Sequence, residues 1–351
     1  MSDLVKEVRI GIIGMGRQGK IHSRNIVSRI EGARLVCVSD IYIDSAKEFV
    51  ASLDRSIDVY EDYRDIIKRE DVDAVIIASP TTTHEQVITD AANANKHIFC
   101  EKPIAPDLAT TDRLIELVEK TGVKFMVGFN RRFDPTFKRV KDLVVNGNVG
   151  EPQILLITSR DPAPPHLEYL KASGGIFFDT TIHDFDMARY LVDDEVTEVY
   201  ATGNVLVDPR VKEFGDLDTT MVTLKFKNGA IASINNSRQA VYGYDQRVEV
   251  FGSKGSAQAF NETPNTVMLF DEDGVHSDKP LYFNEQRYPE SFVNEVSAFV
   301  ECIRNNTAPP VAGIDGKIPV LMAMAAKKSF DENRPITIDS IQAEVKGGNT
   351  R

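Results

Sequence analysis

Three groups of residues combine the side chains and backbone freedom that chemistry needs. The first is a glycine-rich turn, Gly14-Met15-Gly16-Arg17-Gln18-Gly19, which follows the apolar run 8–13 and is answered downstream by Asp40. Glycines in this pattern serve a tight turn, a close backbone approach to a pyrophosphate, and close contact of the next helix with the sheet. A helix opening near Arg17 aims its free N–H groups at the phosphates. The Asp40 carboxylate can accept both hydroxyls of an adenosine ribose. The second group is Cys100-Glu101-Lys102-Pro103, at the C-terminal end of an expected parallel strand, where open α/β sheets bind their ligands. Lys102 can there approach the reactive end of a bound cofactor; a solvated lysine in a turn is the plainer alternative. The third group runs from Asp179 through His183 to Asp186. In a helix from about 178, steps of about 100° put Asp179, His183 and Asp186 on one polar stripe, beside an apolar stripe of Phe178, Ile182 and Phe185. A histidine one turn from a carboxylate suits a general base, because the acid fixes its tautomer and stabilises the imidazolium that forms. The alternative makes Asp179 a helix N-cap and His183 a satisfied interface histidine.

These residues need elements to position them. From 8 to about 129, short apolar runs at 8–13, 34–39, 74–78, 97–100 and 124–128 alternate with helical patterns at 23–30, 45–53, 84–94 and 108–120, which predicts a doubly wound parallel sheet of the Rossmann kind. Beyond about 150 the texture becomes β-rich, with runs at 154–158, 198–207, 219–226, 230–235, 247–251 and 267–270 and the turn pairs Asn228-Gly229 and Asp273-Gly274. That pattern predicts an open, largely antiparallel sheet in an α+β domain. Helical segments at 291–304 and 317–331 close the chain. At 351 residues the α/β chain exceeds one ordinary core. The expected division is a dinucleotide-binding domain at 1–130 and a substrate-binding and oligomerisation domain at 131–340.

Composition narrows the partners. The 41 basic and 53 acidic residues give a net charge of −12, which disfavours nucleic acid and anionic membrane surfaces. Cys37, Cys100 and Cys302 are an odd, widely spaced set in apolar surroundings, the usage of a reducing, cytoplasmic compartment. No cluster has metal-ligand spacing, so no metal is expected. A charged start and the lack of an apolar stretch of about eighteen residues predict neither signal peptide nor membrane span.

Taken in order, Gly14/Gly16/Gly19, Asp40, Ser79-Pro80-Thr81, Glu101-Lys102-Pro103, the segment Gly128 to Asp134 and the Asp179/His183 helix resemble the Gfo/Idh/MocA oxidoreductases over essentially the whole chain. The resemblance implies a catalytic trio of Lys102, Asp179 and His183, with Lys102-Pro103 a cis peptide. It implies that Ser79, Pro80, Thr81 and Glu101 join the turn residues Met15, Arg17 and Gln18 around the cofactor. It also implies that Asn130, Arg131, Asp161 and a tyrosine of the pair Tyr242 and Tyr244 surround a sugar-like ring. Within the family, the segments 159–164, 174–177 and 182–189 are most similar to bacterial-type inositol 2-dehydrogenases. The reaction so implied is NAD-dependent oxidation of a cyclic polyol, myo-inositol to 2-keto-myo-inositol (scyllo-inosose), by hydride transfer with His183 as base. NADP is expected to work less efficiently, Arg17 offsetting part of the repulsion from Asp40. A homo-oligomer, a tetramer as the family often forms, is expected. The alternatives are a family dehydrogenase acting on another inositol isomer or an aldose such as glucose, an NAD-retaining glycosidase, and a noncatalytic dinucleotide-binding regulator.

Overall fold

The computed structural model describes residues 7–348; the first six residues of the charged N-terminal stretch, and 349–351, lie outside the described residues. The chain forms two compact units, Met1–Phe133 with Glu290–Ile318, and Asp134–Pro289 with Pro319–Arg351.

In the first unit, β1 (Val8–Ile13), β2 (Ala33–Ser39), β3 (Asp58–Tyr60), β4 (Ala74–Ile77), β5 (His97–Glu101) and β6 (Phe125–Gly128) form one sheet in the order β3-β2-β1-β4-β5-β6. Every pairing is parallel. Helices Arg17–Ser28, Ile43–Ala51, Tyr63–Ile67, Thr81–Asn93 and Leu108–Thr121 connect successive strands. Ile10, Ile12, Val75, Ile76, Ile98 and Phe99 are fully buried, because crossovers cover both faces of a parallel sheet and its central strands then read as continuous apolar runs. The strand order reverses between β1 and β4, and the glycine turn leaves the C-terminal end of β1 at that switch point. The edge strand β3 escapes the sequence pattern because Asp58-Val59-Tyr60 is too short and too polar to show a run.

In the second unit, β7 (Pro152–Arg160), β8 (Val196–Asn204), β9 (Thr219–Phe226), β10 (Ile231–Ser237), β11 (Asp245–Gly252) and β12 (Gly255–Ala259) build a sheet, β13 (Met268–Asp271) and β14 (Gly274–Ser277) form a separate hairpin, and β15 (Ile336–Thr337) completes the sheet order β12-β11-β7-β10-β9-β8-β15. Only the β7–β10 pairing is parallel among the sheet's strands. The sheet is one-sided: on β9, Thr220, Val222, Leu224 and Phe226 are buried while Met221, Thr223 and Lys225 are exposed. Helices Pro135–Val145 and Thr181–Val192 pack on this sheet. Strands β12, β14 and β15 and the helix Ile338–Lys346 go beyond the sequence expectation. The first of them, Gly255-Ser-Ala-Gln-Ala259, carries no β-branched side chain to announce it.

The continuous helix expected from about 178 is corrected. It is two pieces, Ile176–Asp179 and Thr181–Val192, which meet at Thr180 (φ −95°, ψ −58°). Gly174 and Gly175, at φ 79° and 93°, turn the chain in early, and Asp216 Oδ1 accepts the Ile176 N–H at 2.8 Å, so a first turn forms before Phe178. The expected polar stripe divides accordingly. Asp179 and His183 are half-buried, whereas Asp186 is buried, and Thr180, not Asp179, precedes the longer helix.

Candidate active site

The glycine turn has the shape its spacing requires. Gly14 lies at φ 95°, and a Cβ there would stand 2.5 Å from the backbone N of Ser79; a Cβ on Gly19 would stand 1.9 Å from the Gly14 carbonyl oxygen. Gly16 is exposed, with nothing within 4 Å of where a Cβ would be. Helix Arg17–Ser28 follows directly, and its first turn has neither a side-chain cap nor an acidic residue. Its orphan N–H groups suit an anion such as a pyrophosphate. Met15 is buried, and Gln18 Oε1 is buried without a hydrogen-bond partner among the described residues. Asp40, just past β2, accepts the Met15 N–H at Oδ2 (2.6 Å) and the Tyr42 N–H at Oδ1 (2.8 Å). Two backbone donors thus hold the carboxylate against the turn while each oxygen keeps acceptor capacity for a ribose hydroxyl. These features fit a dinucleotide.

At the end of β5, Glu101 precedes Lys102 and the cis Lys102–Pro103 peptide. Ser79, Pro80 and Thr81 follow β4 and open helix Thr81–Asn93, with Ser79 Oγ 2.6 Å from Thr83 Oγ1. A residue that the motifs did not single out lies between these two turns. His84 is buried, with Nε2 2.9 Å from the Ser79 carbonyl oxygen and Nδ1 2.9 Å from that of Pro103. Burial pushes its pKa down, against the pull of those carbonyls. Asn130 and Arg131, just after β6, are buried, and Asn130 Nδ2 donates to Ser291 Oγ at 2.9 Å.

In the second unit, Asp179 accepts from Tyr169 Oη at 2.6 Å and from Arg238 Nη1 at 3.3 Å. Arg238 is 1 % exposed and also faces Asp216 at 3.5 Å. His183 lies one turn beyond Asp179, on a helix anchored to β10 through Asn236, whose Nδ2 donates to Asp184 Oδ2 (2.6 Å) and whose Oδ1 accepts from Thr181 Oγ1 (2.8 Å). The sequence pattern brings out neither Tyr169, Arg238 nor Asn236, since each meets its partner across intervening chain. Replacing Arg238 by methionine strands Asp179 and Asp216 beside an uncharged side chain. Breaking a buried pair of this kind costs about 3–5 kcal/mol, so Arg238→Met is expected to lower the melting temperature markedly; an unchanged calorimetric transition would show that the ion pairs contribute nothing.

The two tyrosines differ. Tyr244 is buried against Phe283 and Tyr288, with ring centroids 5.5 and 6.0 Å away. Tyr242 is 38 % exposed, donates to Asp245 Oδ2 at 2.5 Å and accepts from Arg160 Nη1 at 3.1 Å. It lines a hollow of about 360 Å³ with Pro162, Gly243, Lys279 and Tyr282. Against the burial that raises it, hydrogen bonds from Arg247, Tyr242 and Asn261 hold the Asp245 carboxyl below the usual range. Asp161 is half-buried, its backbone tied to Ser237 and Ala240.

Among the described residues no helix is long and apolar enough to cross a membrane. Residues 8–129 match the family described as oxidoreductase family, NAD-binding Rossmann fold, and residues 137–258 match the GFO/IDH/MocA C-terminal domain. The chain is 48 % identical to the myo-inositol 2-dehydrogenase of Thermotoga maritima, covering 95 % of this chain and 99 % of the relative. It is 42 % identical to the inositol 2-dehydrogenase of Rhizobium meliloti, covering 94 % and 99 %. Its fold is similar to the crystal structure of scyllo-inositol dehydrogenase from Lactobacillus casei with bound cofactor NAD(H) and scyllo-inositol, at a TM-score of 0.88 and 31 % identity over 95 % of this chain and 100 % of the other. The chain belongs to the Gfo/Idh/MocA family of NAD-binding oxidoreductases.

Proposed function

We propose that this dehydrogenase oxidises a secondary hydroxyl of a cyclic polyol, converting myo-inositol to 2-keto-myo-inositol. The whole-length identity to a myo-inositol 2-dehydrogenase carries the choice of substrate. NAD, when bound, supplies the two-electron acceptor for the carbinol C–H bond. His183 takes the hydroxyl proton at a ring nitrogen, and Asp179, itself held by Tyr169 and Arg238, orients the imidazole and stabilises its charged form. Lys102 donates to the reacting oxygen as alkoxide character develops. Asn130, Arg131, Asp161 and Tyr242 select one carbon among several hydroxyls, which takes several fixed polar groups; the exposure of Tyr242 favours it over the buried Tyr244.

The same reading extends to assembly and compartment. The outer face of the second unit's sheet exposes Ile154, Leu156, Met221, Ile231 and Phe251, and strand register places Phe251, Ile154 and Ile231 in one row. Such a face suits burial against further copies of the chain in a tetramer, which light scattering measures as mass. The three buried free cysteines fit a cytoplasmic setting.

Substrate choice is tested with a panel of inositol isomers and aldoses, following NADH absorbance. Steady NADH formation fastest with myo-inositol is expected. Preference for glucose would move the assignment to an aldose dehydrogenase. Glycoside cleavage without net NADH would move it to an NAD-retaining glycosidase.

A further inference from the structure

Helix Pro289–Arg304 buries a carboxyl group for which the chemistry above has no use. Glu295 is 0 % exposed, and neither of its carboxyl oxygens has a hydrogen-bond partner among the described residues. An ionised carboxylate so placed costs several kcal/mol. Its titratable neighbours come from two other elements, Glu101 at the end of β5 and His22 on helix Arg17–Ser28. One donor atom from each of the three lies within 4.8 Å of the others.

His22 is fully buried, and its Nε2 stands 2.8 Å from Glu101 Oε1. Phe99 and Phe292 flank the imidazole edge-on, with ring centroids 5.5 and 6.2 Å away. The other Glu101 oxygen lies over Gly128, where a Cβ would come within 3.0 Å of it, so the carboxylate is confined on that side as well. Two carboxylates and one imidazole in such surroundings carry the least buried charge when one carboxyl keeps its proton. Glu101 has the imidazole for a partner; Glu295 has none. Burial first, and the Glu101 charge second, push the Glu295 carboxyl well above the usual carboxylate range. A histidine and two carboxylates are also a donor set for a divalent cation, but the short Nε2···Oε1 contact is a hydrogen bond that engages two of the three donors with each other.

We propose that Glu295 is the neutral, proton-bearing member of a buried His22–Glu101–Glu295 cluster, packed within 4.8 Å of both partners rather than hydrogen-bonded to them, and that this cluster keeps the His22-bound Glu101 carboxylate at the end of β5 and thereby positions Lys102, the next residue. This rests on the reading of Lys102 as the group that meets the substrate oxygen. Glu295 touches no reacting atom and is a positioning residue.

The test uses the full-length enzyme with Glu295→Gln, which keeps a neutral donor, and Glu295→Leu, which keeps bulk without one. An infrared difference spectrum of wild type against Glu295→Gln at neutral pH is expected to contain the carbonyl band of a protonated carboxylic acid, shifting in heavy water. Because a small displacement near the chemistry can cost about a hundredfold, Glu295→Leu is expected to lower kcat by tenfold or more on that scale while NAD affinity stays within about threefold. Glu295→Gln is expected to restore kcat. An acid whose pKa is raised by folding stabilises the folded chain fully below the unfolded pKa, near 4.5, and loses that contribution as pH rises toward the folded value. The melting temperature of Glu295→Gln should therefore gain on wild type as pH rises from that range into the mildly alkaline.

Absence of the acid band, a melting-temperature difference independent of pH, or one divalent cation per chain that Glu295→Gln loses would each overturn the proposal. Wild-type turnover in Glu295→Leu would overturn the positioning role. Lys102→Met separates the two readings. Full turnover in that variant removes Lys102 from the chemistry and the positioning role with it, whereas the infrared band still decides where the proton resides.

Discussion

Replacing His183 by alanine is expected to lower turnover by about 10²–10⁴-fold, the range a general base commonly contributes, while leaving NAD affinity nearly unchanged. The separation of the two effects follows from where the residue stands. His183 belongs to the helix Thr181–Val192 of the second unit, whereas the glycine turn and Asp40 belong to the first. The direction with pH follows from the chemistry: alcohol oxidation needs the imidazole neutral, so wild-type turnover rises as pH increases through its ionisation, and the alanine variant lacks that rise. Stopped-flow and steady-state rates across pH, with a deuterium effect to show that chemistry limits, measure both. Loss of less than about tenfold, below the range for such a base, or a wild-type profile that stays flat with chemistry limiting, removes His183 from the role.

Replacing Asp40 by serine is expected to turn cofactor choice toward NADP by a comparable margin. Two unit charges about 4 Å apart at an effective dielectric near 20 repel by roughly 4 kcal/mol, close to a thousandfold, the penalty expected for a 2′-phosphate if Asp40 faces the ribose as proposed. The Met15 and Tyr42 N–H groups hold its two oxygens at 2.6 and 2.8 Å, so Asp40 does not simply swing away from a 2′-phosphate. Arg17 is exposed at the start of the helix, and its guanidinium is expected to offer NADP a partner that softens the discrimination. Arg17→Ala should accordingly sharpen the preference for NAD. The ratio of kcat/KM for NAD and NADP on the two variants reports both effects; an unchanged ratio in Asp40→Ser means that Asp40 does not face the ribose.

What could be read from the sequence depended on how local the physics was. Gly14, Gly16, Gly19 and Asp40 were legible because a strand, a turn that excludes Cβ atoms and a helix N-terminus follow one another within a short span, and only glycine meets the backbone demands at 14 and 19. The β-rich texture beyond 150 likewise stood out by alternation, and the one-sided β9 shows why. The early first turn at Ile176 was hidden, because Asp216 accepts the Ile176 N–H from forty residues downstream. Arg238 reaches Asp179 across 59 residues, Asn236 reaches Asp184 across 52, and His22 reaches Glu101 across 79. No periodicity records such pairings, since they exist only once the sheets have formed. Tyr242 and Tyr244 share one short motif, yet they separate into a half-exposed hydroxyl and a core ring because residues two apart take different surroundings at the start of β11.

The most direct measurement follows the carbinol hydrogen itself. Myo-inositol deuterated at the carbon to be oxidised is incubated with the enzyme and NAD, and the reduced cofactor and the product are analysed by mass spectrometry. Polyol oxidation by this chain requires one deuterium per turnover in the NADH, a ketone at the labelled carbon and a slower rate than with unlabelled substrate. NADH free of deuterium, or no turnover of myo-inositol under conditions where another alcohol reacts, would overturn the assignment of substrate.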